Sequence, residues 1–487
     1  SHFGPQLAAS THMTGHISRV HIMGWLVSRA CERPNDLGSP SKEDFAEPAV
    51  VSPLEPKRYR REFAIMTWML SLNHAAVTTP ILYASSVLTN ASGQAGNAVL
   101  YGATLICSLF FSTLIFGLLG SKRGLSLSMG LYSVYVLLFA IAAALCDEKH
   151  EENGSCIRGG HLQLPINLVG ALVGGLGAGI LWTCQGAFFS EVCARVAAAE
   201  GDDMPKVTAE LAGSFALVFL AMEAVVRASA TILTKHAHLD YPAVFLIFAG
   251  LAVASTVIFQ LLAKETESEP RRTGDLCGKA LSALRQWTDP QTWFLQCTNL
   301  TFGFAAAWLG GHIGREILTE ALSSEFIGYA GALLSALASG LSLVLGQVAR
   351  RMGKGPVVAL GSMAFLFLGI LSQYVGKPAT WGWGVLVFYL LMGLGRAVYE
   401  STNKAIFADF FPGEKSAGAF ANVFVFGTSA STVAFTLGAV GKASEELYLL
   451  LTFAVLTMPG YLTACVIKRH LEKREQETAS PSVEASV

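Results

Sequence analysis

About twelve stretches of roughly twenty mainly apolar residues follow one another along the chain. Each is long enough to cross the ~30 Å hydrocarbon core of a bilayer as a helix. Lipid offers the backbone no partners, so a crossing segment must bond internally, and a helix does so. The expected spans are 63–84, 95–119, 124–145, 164–190, 208–233, 241–263, 293–312, 326–348, 356–375, 382–408, 417–440 and 446–467. Composition agrees with this reading. Mean hydropathy is +0.48 and 14% of the 487 residues are charged, too few to wet the surface of a soluble chain of this length. The net charge of −1 gives no reason to expect a nucleic-acid partner. The fold class expected is all-α and polytopic.

An even number of spans puts both termini on one side, and Lys and Arg decide which side. Lys57, Arg58, Arg60 and Arg61 precede the first span. Lys122, Arg123, Arg350, Arg351 and the cluster Lys468, Arg469, Lys473 and Arg474 fall on the same side. Both termini are therefore expected in the cytosol, of a cell whose plasma membrane or endomembranes hold the protein. Residues 1–57 contain no long apolar run, and Met23–Val27 is too short for the core of a signal peptide. They are expected to form a largely disordered cytosolic tail. The remaining chain divides into a six-helix half over 58–263, a charged cytosolic linker over 264–290, a second half over 291–470 and a short cytosolic tail over 471–487.

Two sequons fall in the expected outer loops. Asn90-Ala91-Ser92 lies after span one and Asn153-Gly154-Ser155 after span three, where a glycosylating enzyme could reach them. Asn299-Leu300-Thr301 lies inside span seven and should stay unmodified. Cys146 and Cys156 bracket the second loop, and an oxidising compartment would allow them to pair. No Cys/His cluster has metal-binding spacing, and no cofactor motif is present.

The chain also repeats itself. Gly175-Leu-Gly-Ala-Gly-Ile-Leu-Trp-Thr-Cys-Gln-Gly-Ala-Phe-Phe-Ser-Glu191 in span four aligns with Gly393-Leu-Gly-Arg-Ala-Val-Tyr-Glu-Ser-Thr-Asn-Lys-Ala-Ile-Phe-Ala-Asp409 in span ten. Ala212-Gly-Ser-Phe-Ala-Leu-Val-Phe219 in span five aligns with Ala417-Gly-Ala-Phe-Ala-Asn-Val-Phe424 in span eleven. Span n thus matches span n+6 twice. Such a parallel repeat is the arrangement of major facilitator transporters. Gly117–Gly124 and Gly346–Gly353, after spans two and eight, are similar to the facilitator signature loop and place Lys122, Arg123, Arg350 and Arg351 as gating groups. Both copies lack its aspartate, with Ser121 and Arg350 in that place.

Within this superfamily the chain resembles the UNC-93-like branch. Gly179-Ile-Leu-Trp-Thr-Cys-Gln-Gly-Ala-Phe188 is similar to that family's Leu-Trp-x-x-Gln-Gly pattern. Gly393–Tyr399, Ala419–Phe424 and Ala434-Phe435 are similar to its spans ten and eleven, although Arg396 stands where the family usually has an acid. The resemblance implies the facilitator fold in two six-helix halves. It leaves activity open, because characterised members are described as channel regulators or trafficking partners.

Polar groups inside the spans mark the candidate site, since a charge at mid-bilayer costs ~2.5–3.5 kcal/mol and usually faces the bundle interior. Glu223 and Arg227 sit four residues apart in span five, and Arg396, Glu400 and Lys404 form a ladder with the same spacing in span ten. Such pairs either neutralise themselves within one helix or serve a site. Asn73 and His74 lie near mid-depth in span one, Gln185 and Asn403 occupy equivalent repeat positions, and Trp182 stands beside them. Each can line a central cavity, and each can equally pack or bond between helices. No P-loop, HExxH or GxSxG points to an enzyme. The expectation is a secondary transporter of a small solute, or a non-transporting partner of another membrane protein.

Overall fold

In a computed structural model, residues 56–149, 156–201, 204–263, 284, 286–411 and 415–479 are described. They form twelve helical rods and one small hairpin. The first half comprises α1 (Pro56–Val87), α2 (Asn90–Phe110), α3 (Ser112–Ala144), α4 (Gln163–Glu200), α5 (Met204–Thr231) and α6 (Tyr241–Leu262). The second half begins with α7, Pro290–Trp308, which runs on as a π-helical stretch over Leu309–Leu318. It continues with α8 (Ile327–Met352) and α9 (Lys354–Ser372). Helix α10 is Leu386–Val398, a π-helical turn over Tyr399–Asn403, then Lys404–Phe410. Helices α11 (Lys415–Ala439) and α12 (Ala443–Ala479) complete the half. The expected tail over 1–57, the linker over 264–290 and the last residues fall largely outside the described residues, as does Asn153.

Among the described residues, nine helices are long and apolar enough to cross a membrane by length and hydropathy. Rods α1, α2 and α7 are absent from that set because they carry more polar residues. Those residues are buried: Asn73 and His74 on α1, Gln94 and Asn97 on α2, Gln296 and Asn299 on α7. The inversion is clearest on α5, where Leu217 and Val225 are 59% and 63% exposed while Glu223 is 1% exposed. Apolar side chains face outward where lipid would lie, and polar ones face neighbouring helices. Close approach of the rods uses small residues. A side chain at Gly174 would strike the Tyr135 ring, and one at Gly175 would strike the α2 backbone at Leu100.

The turn after the second span is sharper than expected. It falls at Gly120, with φ 74° and ψ −179°, and Ser121, Lys122 and Arg123 already belong to the resumed helix. The matching turn in the second half falls at Gly353, with φ 86° and ψ 167°. That backbone region is essentially restricted to glycine. Arg350 and Arg351 consequently lie in the last turn of α8, and Lys122 and Arg123 in the first turn after Gly120. The four bases thus sit on helix ends, where the sequence suggested loops.

The segment after α3 forms an antiparallel hairpin of β1 (Cys146–Lys149) and β2 (Cys156–Gly159), closed by a Cys146–Cys156 disulfide. Asn90 does not lie in a loop. The first connection is only Leu88 and Thr89; Thr89 caps α2, and the Asn90 carboxamide oxygen accepts a hydrogen bond from Gln94 at 3.3 Å. Ser92 of that sequon is buried.

Candidate functional site

The halves meet at a buried cluster of charges. Helices α5 and α8 pack together, as do α2 and α11, so groups on α5 and α10 can reach one another across the middle. Arg396 of α10 grips Glu223 of α5 with both ends of its guanidinium: Nη1 donates to Oε1 at 2.9 Å and Nη2 to Oε2 at 2.8 Å. This fork geometry is the strong form of the carboxylate–arginine bond. Arg227, one turn along α5, pairs with the same carboxylate. Its Nη1 also donates to Ser335 Oγ of α8 at 2.8 Å. One acid therefore serves two bases. Glu400 pairs with Lys404 at 2.5 Å, which neutralises both, so the cluster keeps one unit of positive charge.

The sequence suggested two independent ladders, one on each helix. The structure joins them through Glu223. A pair at i,i+4 is visible in a sequence, whereas a partner 173 residues away is not. A signal was nevertheless present. Arg396, Glu400 and Lys404 carry one base in excess, and a surplus charge in an apolar helix must find its partner elsewhere.

Asn73 bonds between helices. Its amide nitrogen donates to Met129 O at 3.3 Å, Ala252 O at 3.0 Å and Ser255 Oγ at 3.3 Å, tying α1 to α3 and α6. Asn403 donates to Asn299 Oδ1 of α7 at 2.9 Å and is fully covered. That bond lies beside the π-helical turn of α10. Gln185, its repeat equivalent, is half-buried on α4.

His74 and Trp182 are packed into a nest of rings. The His74 ring lies 4.8 Å from Phe219 and 5.3 Å from Trp182. Trp182 stacks on Phe424 of α11 at 5.7 Å, so the nest also bridges the halves. Phe219 and Phe424 were not singled out from the sequence, although they end the two matching repeat segments. Phe219 precedes Glu223 by one helical turn, which sets the rings about 6 Å along α5 from the charges.

A second set of contacts closes the halves on the side of the hairpin. Ser85 Oγ of α1 donates to Gly310 O of α7 at 2.7 Å, and Arg315 donates back to Ser85 O. Tyr241 of α6 donates to Ser324 at 2.7 Å, and Thr231 to Glu325 O at 2.6 Å. The π-helical stretch of α7 presents its carbonyls to α1 and α2 here, including Gly311 O to Gln94 at 3.4 Å. On the opposite side, the bonds Arg60–Glu200 and Lys468–Asp409 O each stay within one half.

Solved transporters share this fold. The xylose transporter XylE of E. coli, in a partially occluded inward-open conformation, superposes with a TM-score of 0.55 at 11% identity, covering 88% of this chain and 98% of its own. A D-xylose–proton symporter gives 0.57 at 14% identity over 83% and 95%. Among curated proteins, unc-93 homolog A of Bos taurus is 25% identical over 409 residues, 76% of this chain and 85% of that protein. The likeness runs over most of both chains. No family model matches this chain. The chain has the all-α major facilitator fold, with two six-helix halves and the buried Glu223 cluster between them.

Proposed function

We propose that the chain is a secondary transporter that carries a small solute across the membrane by alternating access. The observation that carries this reading is the buried fork between Glu223 and Arg396, which joins the two halves at mid-depth. Rocking of one half against the other must break or re-aim that fork, so a solute competing for it can couple binding to movement. The charge bias of the sequence supports cytosolic termini, with the hairpin outside and Lys122, Arg123, Arg350 and Arg351 at the cytosolic gate. Asn153 is then the glycosylation site.

The test is reconstitution in liposomes with a panel of solutes and an imposed pH gradient. Accumulation that disappears in Glu223→Gln or Glu400→Gln supports transport. Absence of flux for every solute, together with co-purification of one channel or receptor, would replace it with the second reading. That second reading is a regulator or trafficking partner of another membrane protein. It is favoured by Ser121 and Arg350, which stand where the facilitator signature has its gate aspartate.

A further inference from the structure

The cluster between the halves carries a charge that its own residues do not balance. Glu223 is shared by Arg227 and Arg396, and Glu400 is spent on Lys404. Among the described residues, the Nε–H groups of Arg227 and Arg396 have no hydrogen-bond partner, although both atoms are buried. Nδ1 of His74 is likewise buried without a partner. The His74 ring packs 4.8 Å from Phe219, which stands one helical turn before Glu223 on α5, so it lies next to the charges. An unbalanced buried cation with free donors favours an anion in contact with it.

One turn away, Phe219, Trp182, Phe424 and His74 present ring faces and edges. Trp182 and Phe424 come from opposite halves, so a body lying among them touches both. We infer that the site takes a monovalent organic anion, with its carboxylate at Arg227 and Arg396 and a planar apolar body among these rings. This inference rests on the transport reading for the location of the site, and it adds the chemical class of the solute. A neutral sugar would leave the surplus charge uncompensated. A simple inorganic anion would leave the rings unused.

Benzoate is the probe, measured as equilibrium binding and as a thermal shift on the purified full chain. Benzoate is expected to bind at least ~10-fold more tightly than acetate or chloride, while benzamide, the uncharged isostere, does not compete. Arg227→Gln and Arg396→Gln are each expected to weaken benzoate by ~10-fold or more. If either variant fails to fold, Phe219→Leu and Trp182→Leu replace it, since they lie outside the ion network. They should weaken benzoate by ~3- to 10-fold and leave acetate unchanged. The inference is overturned if folded protein binds no benzoate, if benzamide binds as well as benzoate, or if chloride or acetate binds equally tightly. Benzoate binding without flux in liposomes would remove the transport reading and keep the site. Flux of an uncharged solute without benzoate binding would remove the site and keep transport.

Discussion

Asn73 and Asn403 show how one side-chain amide can do different work from what its depth in the membrane suggests. Each is covered, and each bonds to a neighbouring helix rather than to a cavity. Asn73→Ala removes a buried donor shared by two backbone carbonyls and two hydroxyls, and with it the side-chain link from α1 to α3 and α6. The expected loss is ~1–3 kcal/mol of stability, read from the melting of purified protein, with solute affinity unchanged. Trp182 is different, because its ring is shared between the halves. Trp182→Ala should change stability modestly and alter the rate of exchange between conformations, which flux measurements would report. Inward orientation of the charges was legible from the sequence, since mid-membrane charges leave few alternatives. The identity of their partners was not, because side-chain pairing across a bundle leaves no periodicity in the chain.

At the scale of elements, hydropathy located most of the rods to within a few residues, and the repeat paired α4 with α10 and α5 with α11. It did not place the turns. The signature loops aligned Gly124 with Gly353, but the chain reverses at Gly120 and Gly353. Backbone conformation there is set by tertiary packing of the flanking helices, and neighbouring glycines are equally permissive until that packing chooses. Gly120→Ala and Gly353→Ala should each cost ~1–3 kcal/mol, measured as a drop in Tm converted with the unfolding enthalpy. Nothing lies within 4 Å of a Cβ built at either glycine, so the cost would come from the backbone alone. The π-helical stretches were also invisible to hydropathy. They do not alter the apolar pattern, yet they turn Gly310 and Gly311 carbonyls toward α1 and α2. Asn90 was misplaced for a related reason: a sequon reads the same in a loop as in the first turn of a helix.

For the molecule as a whole, closure on the hairpin side and the buried fork are two halves of one arrangement. Ser86 and Thr319 hydroxyls approach to 3.4 Å across the halves. A Ser86→Cys/Thr319→Cys pair should therefore crosslink under mild oxidation and lock the hairpin side shut, abolishing flux that returns on reduction. Glu223 and Arg396, on opposite halves, hold each other at the middle of the bundle. A double-mutant cycle on thermal stability tests this most directly, using Glu223→Gln, Arg396→Gln and the double variant in purified protein. A coupling of ~1–3 kcal/mol is expected, with the double variant more stable than the sum of the two losses implies. Additivity within ~0.5 kcal/mol would mean that the two side chains do not touch and that the fork does not join the halves.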